Sequence, residues 1–355
     1  MAVRLDGGHP EESFVSKPIS VGVIGCGYWG PNVIRNFFEA PGAEVVACCD
    51  TDARRLESIR QRFPSVRTVR NPQALFADPR IDAVAIVTPL ATHYALAAAA
   101  LRAGKHVFLE KPATATAEQA ARLLDLSRRR RKTLFVDHVF VYTSAVRKMR
   151  ELVSRGRIGR LYYVDSVRIN LGPYRHDTNA IWDLAIHDIA IPDYLLGKMP
   201  KTVSVLGASY LKRKSEDIAY VSLGYDDGVM AHLHVNWLAP VKVRTMILGG
   251  SQRMIIYDDV EVSEKVKVYD KGIDVSQHPE QLHRSLISYR VGDMYAPKLE
   301  SVEALQVAVR HFLDCVRTGR APLTGGEAAL RVLRVLEAAQ RSLRRGGRLE
   351  RIAVH

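Results

Sequence analysis

The sequence predicts an α/β chain, with a doubly wound parallel sheet in its N-terminal part followed by an α+β domain whose open sheet is mostly antiparallel. Three observations carry this. Short β-branched runs alternate with amphipathic helical stretches between residues 19 and 137, the pattern of βαβ units. The first run leads straight into a glycine-rich turn, Gly25-Cys26-Gly27-Tyr28-Trp29-Gly30, and then into a helical stretch. Beyond about residue 158, strand-like runs follow one another with turns between them.

Taken in order, residues 1–18 carry acids, Gly and Pro without the apolar core of a secretory signal, so they read as a flexible lead-in. Strands are predicted at Ile19–Ile24, Glu44–Cys49, Val66–Val69, Ala83–Thr88, His106–Leu109 and Thr133–Val136. Helices fall between them at about Pro31–Glu39, Ala53–Arg62, Pro72–Phe76, Ala91–Arg102 and Ala117–Arg131. The fourth is nearly all Ala and Leu and should stop at Gly104. A dinucleotide-binding domain is therefore expected over 19–140 and a substrate-binding, oligomerising domain over 141–355. In the second, strands are expected at Leu161–Ile169, Thr202–Tyr210, Ile218–Tyr225, Val229–Trp237, Val241–Leu248 and Ser251–Tyr257. Asp226-Asp227-Gly228 and Gly249-Gly250 read as hairpin turns. A helix is expected at Trp182–Leu196, and two more close the chain near Val302–Thr318 and Gly326–Arg345.

Composition narrows the function classes. Of 355 residues, 47% are hydrophobic and 25% charged, enough apolar material for a core and too much for a mainly disordered chain. No apolar run reaches the ~18 residues of a membrane span, so no membrane association is expected. Cys26, Cys48, Cys49 and Cys315 form no C-x-x-C and no zinc-ligand spacing with His, so no metal is expected and a reducing cytoplasm fits. His232 and His234 face one side of a strand but lack a third ligand. The net charge of +13 raises the question of an anionic partner. Its two local runs, Arg128–Lys132 and Arg341–Arg351, sit in no nucleic-acid module and read as solvated faces, with a sugar phosphate as the next reading.

The glycine-rich turn has a mechanical logic. Gly25 permits the tight turn, Gly27 lets backbone approach a pyrophosphate, Gly30 allows close helix packing, and the helix N-terminus attracts phosphate. The next strand ends in Asp50, placed to bind the adenosine ribose hydroxyls. This is the Rossmann fingerprint, and an acid there favours NAD; Arg54 and Arg55 close behind keep NADP possible. Tyr28 and Trp29 are candidates to cover the cofactor or to pack at the helix start. Two further strand ends bring Thr88-Pro89-Leu90-Ala91-Thr92-His93 and Glu110-Lys111-Pro112 to the carboxyl edge of the sheet, where ligands bind. Lys111 beside a nicotinamide can stabilise an alkoxide-like oxygen as hydride leaves. In the second domain Asp183 and His187 lie four apart on one helical face, where the acid can orient the imidazole and raise its basicity. Asp188 points elsewhere and reads as structural.

These stretches, in this order, together with Ala103-Gly104-Lys105-His106-Val107 before Glu110-Lys111-Pro112, resemble the Gfo/Idh/MocA oxidoreductase family from Ile19 to the end. The resemblance implies a catalytic group of Lys111, Asp183 and His187, and a cis peptide before Pro112. It also implies cofactor contacts from Gly25, Gly27, Tyr28, Trp29, Gly30, Asp50, Thr88, Pro89, His93, Glu110 and Lys111. The Gly27–Asn32 and Trp182–Asp188 stretches are most similar to members acting on nucleotide-linked sugars, the UDP-N-acetylglucosamine-type 3-dehydrogenases. Arg168, Asn170, Tyr174 and Arg175 are then candidates, with Lys111 and His187, to bind the sugar or its diphosphate. Inositol, aminocyclitol or free-sugar oxidation, an NAD-recycling glycosidase and a non-catalytic NAD sensor are the alternatives. An open sheet leaves a face to cover, so a homodimer or homotetramer is expected.

Overall fold

In a computed structural model, residues 17–172, 178–211, 215–275 and 287–353 are described. The first sheet has six parallel strands in the order β3-β2-β1-β4-β5-β6. They are β1 (Ile19–Ile24), β2 (Ala43–Cys49), β3 (Arg67–Val69), β4 (Ala83–Ile86), β5 (His106–Glu110) and β6 (Leu134–Asp137). Every residue of β1 and β4 is buried, because helices cover both faces. On one face lie α1 (Gly30–Glu39) and α2 (Ala53–Arg62); on the other lie α4 (Leu90–Arg102) and α5 (Ala117–Arg130), with the short α3 (Gln73–Phe76). Strand order reverses between β1 and β4, which opens the crevice where such sheets bind ligands.

Helix boundaries follow local chemistry. Thr116 caps α5 by accepting from the Gln119 N–H, and α4 is followed by Gly104 at φ +76°. The sequence reading missed α6 (Ser144–Ser154), although Thr143 caps it by accepting from the Val146 N–H. Trp182–Leu196 divides into a π-helical turn, Ile181–Ala185, and then α7 (Ile186–Leu196). The chain closes with α8 (Ala304–Thr318) and α9 (Gly326–Arg344).

The second sheet has nine strands, β14-β13-β12-β11-β7-β10-β9-β8-β15, antiparallel throughout except that β7 (Leu161–Ile169) and β10 (Met230–Asn236) run parallel. Its other members are β8 (Thr202–Ala208), β9 (Ile218–Gly224), β11 (Val243–Gly250), β12 (Met254–Asp258), β13 (Val266–Val275), β14 (Ile287–Tyr295) and β15 (Glu350–Arg351). Asp226-Asp227-Gly228 is a turn as expected, with Gly228 at φ +81°. Gly249-Gly250 is not. Both glycines lie inside β11, because a Cβ at Gly249 would come within 2.1 Å of the Tyr163 ring on the neighbouring strand, and the chain reverses after them. β13 and β14 also went unpredicted, since Lys, Asp and Gly interrupt their apolar alternation. One face of this sheet packs on α7 and α9, while the other leaves Leu206, Tyr220 and Met230 exposed in adjoining strands. No helix among the described residues is long and apolar enough to cross a membrane.

The two closing helices tie the sheets together. α8 returns to the first sheet, where Phe312 meets Phe37, Phe108 and Phe135 at ring-centroid distances of 5.9, 5.7 and 5.8 Å. α9 packs against α5, α7 and β8.

Candidate active site

At the head of β1 the backbone does what the fingerprint requires. Gly25 holds φ +101° and a Cβ there would sit 2.2 Å from the Val87 carbonyl oxygen; a Cβ at Gly30 would sit 2.2 Å from that of Gly25. Gly27 has only the Arg55 guanidinium near it, at 3.5 Å, so its backbone stays open to a large anion at the start of α1. This cradle fits a dinucleotide. Asp50 is buried and fixed by two backbone donors, Cys26 N–H on Oδ2 and Asp52 N–H on Oδ1, both at 2.8 Å. Arg55 stands 3.6 Å from its carboxylate. The two aromatics of the turn part company: Tyr28 is 93% exposed, whereas Trp29 packs against the α1 side of the core.

The loop after β4 is braced rather than open. Thr88 and Thr92 hydroxyls share a hydrogen bond of 2.7 Å, and Thr92 donates to the Pro89 carbonyl. His93 is buried, with Nδ1 and Nε2 each 2.8 Å from a carbonyl oxygen, those of Pro112 and Thr88. Burial lowers its pKa, and the ring sits between the Thr88 loop and the Lys111-Pro112 loop, donating in its neutral form to one of the two carbonyls. This corrects the expectation that His93 offers its side chain to the cofactor. Its polar atoms are already used.

Across the crevice, Lys111 donates to the Asp183 backbone carbonyl at 3.0 Å and lies 3.4 Å from its Oδ1, with both side chains largely buried. The Lys111-Pro112 peptide is cis, as expected. Trp237 Nε1 donates to Asp183 Oδ2 at 3.3 Å. Thus Asp183 engages the ammonium, a contact the sequence reading did not include. His187 is also held by packing. Its ring meets Phe140 edge-on at 4.7 Å, and Phe140 itself has the Arg168 guanidinium at 4.4 Å and that of Arg244 at 5.6 Å from its centroid. His187 Nδ1 is buried without a hydrogen-bond partner. Burial first, then the charges of Lys111, Arg168, His138 and Arg244, push its pKa well down, so the imidazole is neutral.

Arg168 is corrected as well. It is buried and makes a bidentate pair with Asp188 through Nε and Nη2 at 2.9 and 3.0 Å, which turns that edge of the guanidinium away from a substrate diphosphate and leaves Nη1 buried without a hydrogen-bond partner. Asp188 is structural, as expected. Asn170, at the end of β7, is half-buried and donates its backbone N–H to Asn236. Tyr174 and Arg175 lie outside the described residues. Glu110 and Asp137 face one another across β5 and β6. Asp137 is 1% exposed, and burial with the neighbouring Glu110 charge raises its pKa well above the carboxylate range. Phe140, Arg244, Trp237, Asp137 and His138 all escaped the sequence reading; the one local signal was an acid and a histidine together at the end of β6.

Residues 19–138 match the GFO/IDH/MocA oxidoreductase family, NAD-binding Rossmann fold, and residues 146–256 match the GFO/IDH/MocA C-terminal domain. The uncharacterized oxidoreductase YdgJ of Escherichia coli (strain K12) is 31% identical over 249 residues, which cover 67% of this chain and 70% of that protein. D-apiose dehydrogenase of Paraburkholderia graminis is 26% identical over 92% of this chain and 88% of its own. Among solved structures, UDP-N-acetylglucosamine 3-dehydrogenase GnnA from Acidithiobacillus ferrooxidans superimposes with a TM-score of 0.77 at 25% identity, covering 92% of this chain and 98% of that one.

Proposed function

Because the chain belongs to the Gfo/Idh/MocA oxidoreductase family, an NAD-dependent family of sugar and polyol dehydrogenases, we propose that it oxidises a secondary alcohol carbon of a sugar, C3 of a nucleotide sugar. The observation that carries this reading is the buried ammonium of Lys111 held against Asp183, four residues before the neutral imidazole of His187. Bound NAD⁺ supplies the hydride acceptor. His187 Nε2 takes the hydroxyl proton, and Lys111 stabilises the oxygen as negative charge develops on it. Asp183 holds the ammonium through its backbone carbonyl, with Trp237 steadying the carboxylate. Reversal of these steps reduces a ketone. Similarity to UDP-N-acetylglucosamine 3-dehydrogenase supports a nucleotide sugar, whereas similarity to D-apiose dehydrogenase over nearly the whole chain supports a free sugar as the second reading.

A panel holding UDP-N-acetylglucosamine, inositols and free aldoses, with NAD⁺ and NADP⁺, decides between them by NADH or NADPH absorbance. NADH should accumulate with the nucleotide sugar; accumulation with free sugars alone replaces that substrate. Product release without NADH accumulation assigns the recycling glycosidase. The fixed carboxylate of Asp50 supports NAD over NADP, since it would repel a 2′-phosphate. The exposed apolar side chains of Leu206, Tyr220 and Met230 support assembly through the open sheet face. Four buried, unpaired cysteines suit a reducing cytoplasm.

A further inference from the structure

A cavity lies beside the residues around the candidate site. Between the 3₁₀ turn Val139–Tyr142, α7 and the start of α9 lies a cavity of about 120 Å³, several times the ~10–15 Å³ that one water needs. Leu323 on its wall is 55% exposed, so the cavity communicates with the surface. His138 lines it and is only 2% exposed, yet neither ring nitrogen has a hydrogen-bond partner. A buried imidazole left wholly unbonded is costly, and it calls for water. Polar company is present: the same cavity is lined by Thr324, Tyr194 and the Asp193–Arg331 pair, bonded at 2.8 and 2.7 Å.

His138 also belongs to the reactive cluster. It follows Asp137 at the end of β6 and precedes, by two residues, the Phe140 that packs on His187. Lys111 lies near enough to depress the proton affinity of both histidines, and His138 acts on His187 in the same way. His187 Nδ1 is a third buried imidazole atom without a partner. The proton that His187 collects at Nε2 must leave before the next turnover.

We propose that this cavity holds ordered water and that His138 passes the substrate's proton through it, from His187 to bulk solvent. This rests on the dehydrogenase reading above. The imidazolium of His187 gives its Nδ1 proton to water; His138 accepts a proton at one nitrogen and releases one from the other into the cavity. The hydride goes to NAD⁺, one proton reaches solvent, and no other oxidant is involved. His138 works through His187 and touches no reacting atom.

The test follows NADH absorbance and proton release together, by stopped flow in weakly buffered indicator dye, with a sugar the wild type oxidises. In the wild type one proton should appear in step with each NADH. His138→Phe and His138→Gln, which cannot pass a proton between two ring atoms, should slow proton release on the order of 10-fold, enlarge the solvent isotope effect and respond to added imidazole. Melting temperature and NAD⁺ affinity should stay near the wild-type values in at least one of them. Proton release at the wild-type rate in both variants overturns the relay, as does a crystal structure of the NAD⁺ complex with a dry cavity around His138. A wild type that oxidises nothing in the panel overturns the dehydrogenase reading itself.

Discussion

Truncating Lys111 to alanine removes the only ammonium that the described site places against Asp183, so turnover should fall by about 10²–10³-fold, as when one oxyanion donor is lost elsewhere. NAD⁺ affinity, measured by fluorescence titration, should remain within a few-fold of the wild type. Phe140→Leu makes a subtler change. It removes the edge contact to His187 and the ring between two guanidinium groups, admits water, and should move the His187 pKa up toward ~6.5. The acid limb of the pH–kcat profile should shift upward accordingly, whereas Phe140→Tyr should leave it in place. Lys111, Asp183 and His187 stand out in the sequence as candidates because each lies in a short motif whose spacing suggests chemistry. Phe140, Arg168, His187 and Arg244 come together only through four separate elements, and no local pattern announces such a meeting.

At the level of elements, the turn between β1 and α1 makes the sharpest prediction. Asp50→Ala should leave the Cys26 and Asp52 N–H groups without their side-chain acceptor and weaken NAD⁺ binding by roughly 10-fold, about 1.4 kcal/mol, while relaxing discrimination against NADP⁺. Isothermal titration with both cofactors measures this. The Rossmann half was readable nearly strand by strand because parallel strands buried on both faces are continuous apolar runs between clear helix signals. The second sheet was harder. Gly249-Gly250 has turn composition, yet Tyr163 across the ladder requires the missing side chain. A partner strand's needs are invisible in the strand itself. For the same reason Gly249→Val should cost several kcal/mol of stability, as an overpacked core does, and lower the denaturant midpoint.

For the whole molecule, pH dependence follows from buried imidazoles. Burial lowers the pKa of His93, His138 and His187, with His138 at about 3. A histidine with a depressed folded-state pKa binds more protons when unfolded. Its stabilising contribution is therefore full above pH ~6.5 and is lost as pH falls toward the folded value, by up to ~1.4 kcal/mol per pH unit and group. Asp137 works in the opposite sense: its pKa is raised, so its contribution is full at low pH and disappears as pH rises through that value. Burial also lowers the pKa of His106, His234 and His311, so with six histidines against one carboxyl group the melting temperature should drop from pH 7 to pH 5, and His138→Gln should flatten that drop. Light scattering should find an oligomer; a monomer at micromolar concentration would remove the role proposed for the exposed sheet face.

The late return of α8 to the first sheet has a consequence for synthesis. Phe37, Phe108 and Phe135 are all made before Phe312, which shares their cluster. A ribosome that has released β1 to β6 has therefore released a half whose hydrophobic layer stays open until Ala304–Thr318 emerges. Throughout that interval the growing polypeptide carries an adhesive aromatic patch, a natural landing place for chaperones and the point at which a prematurely terminated product would begin to clump.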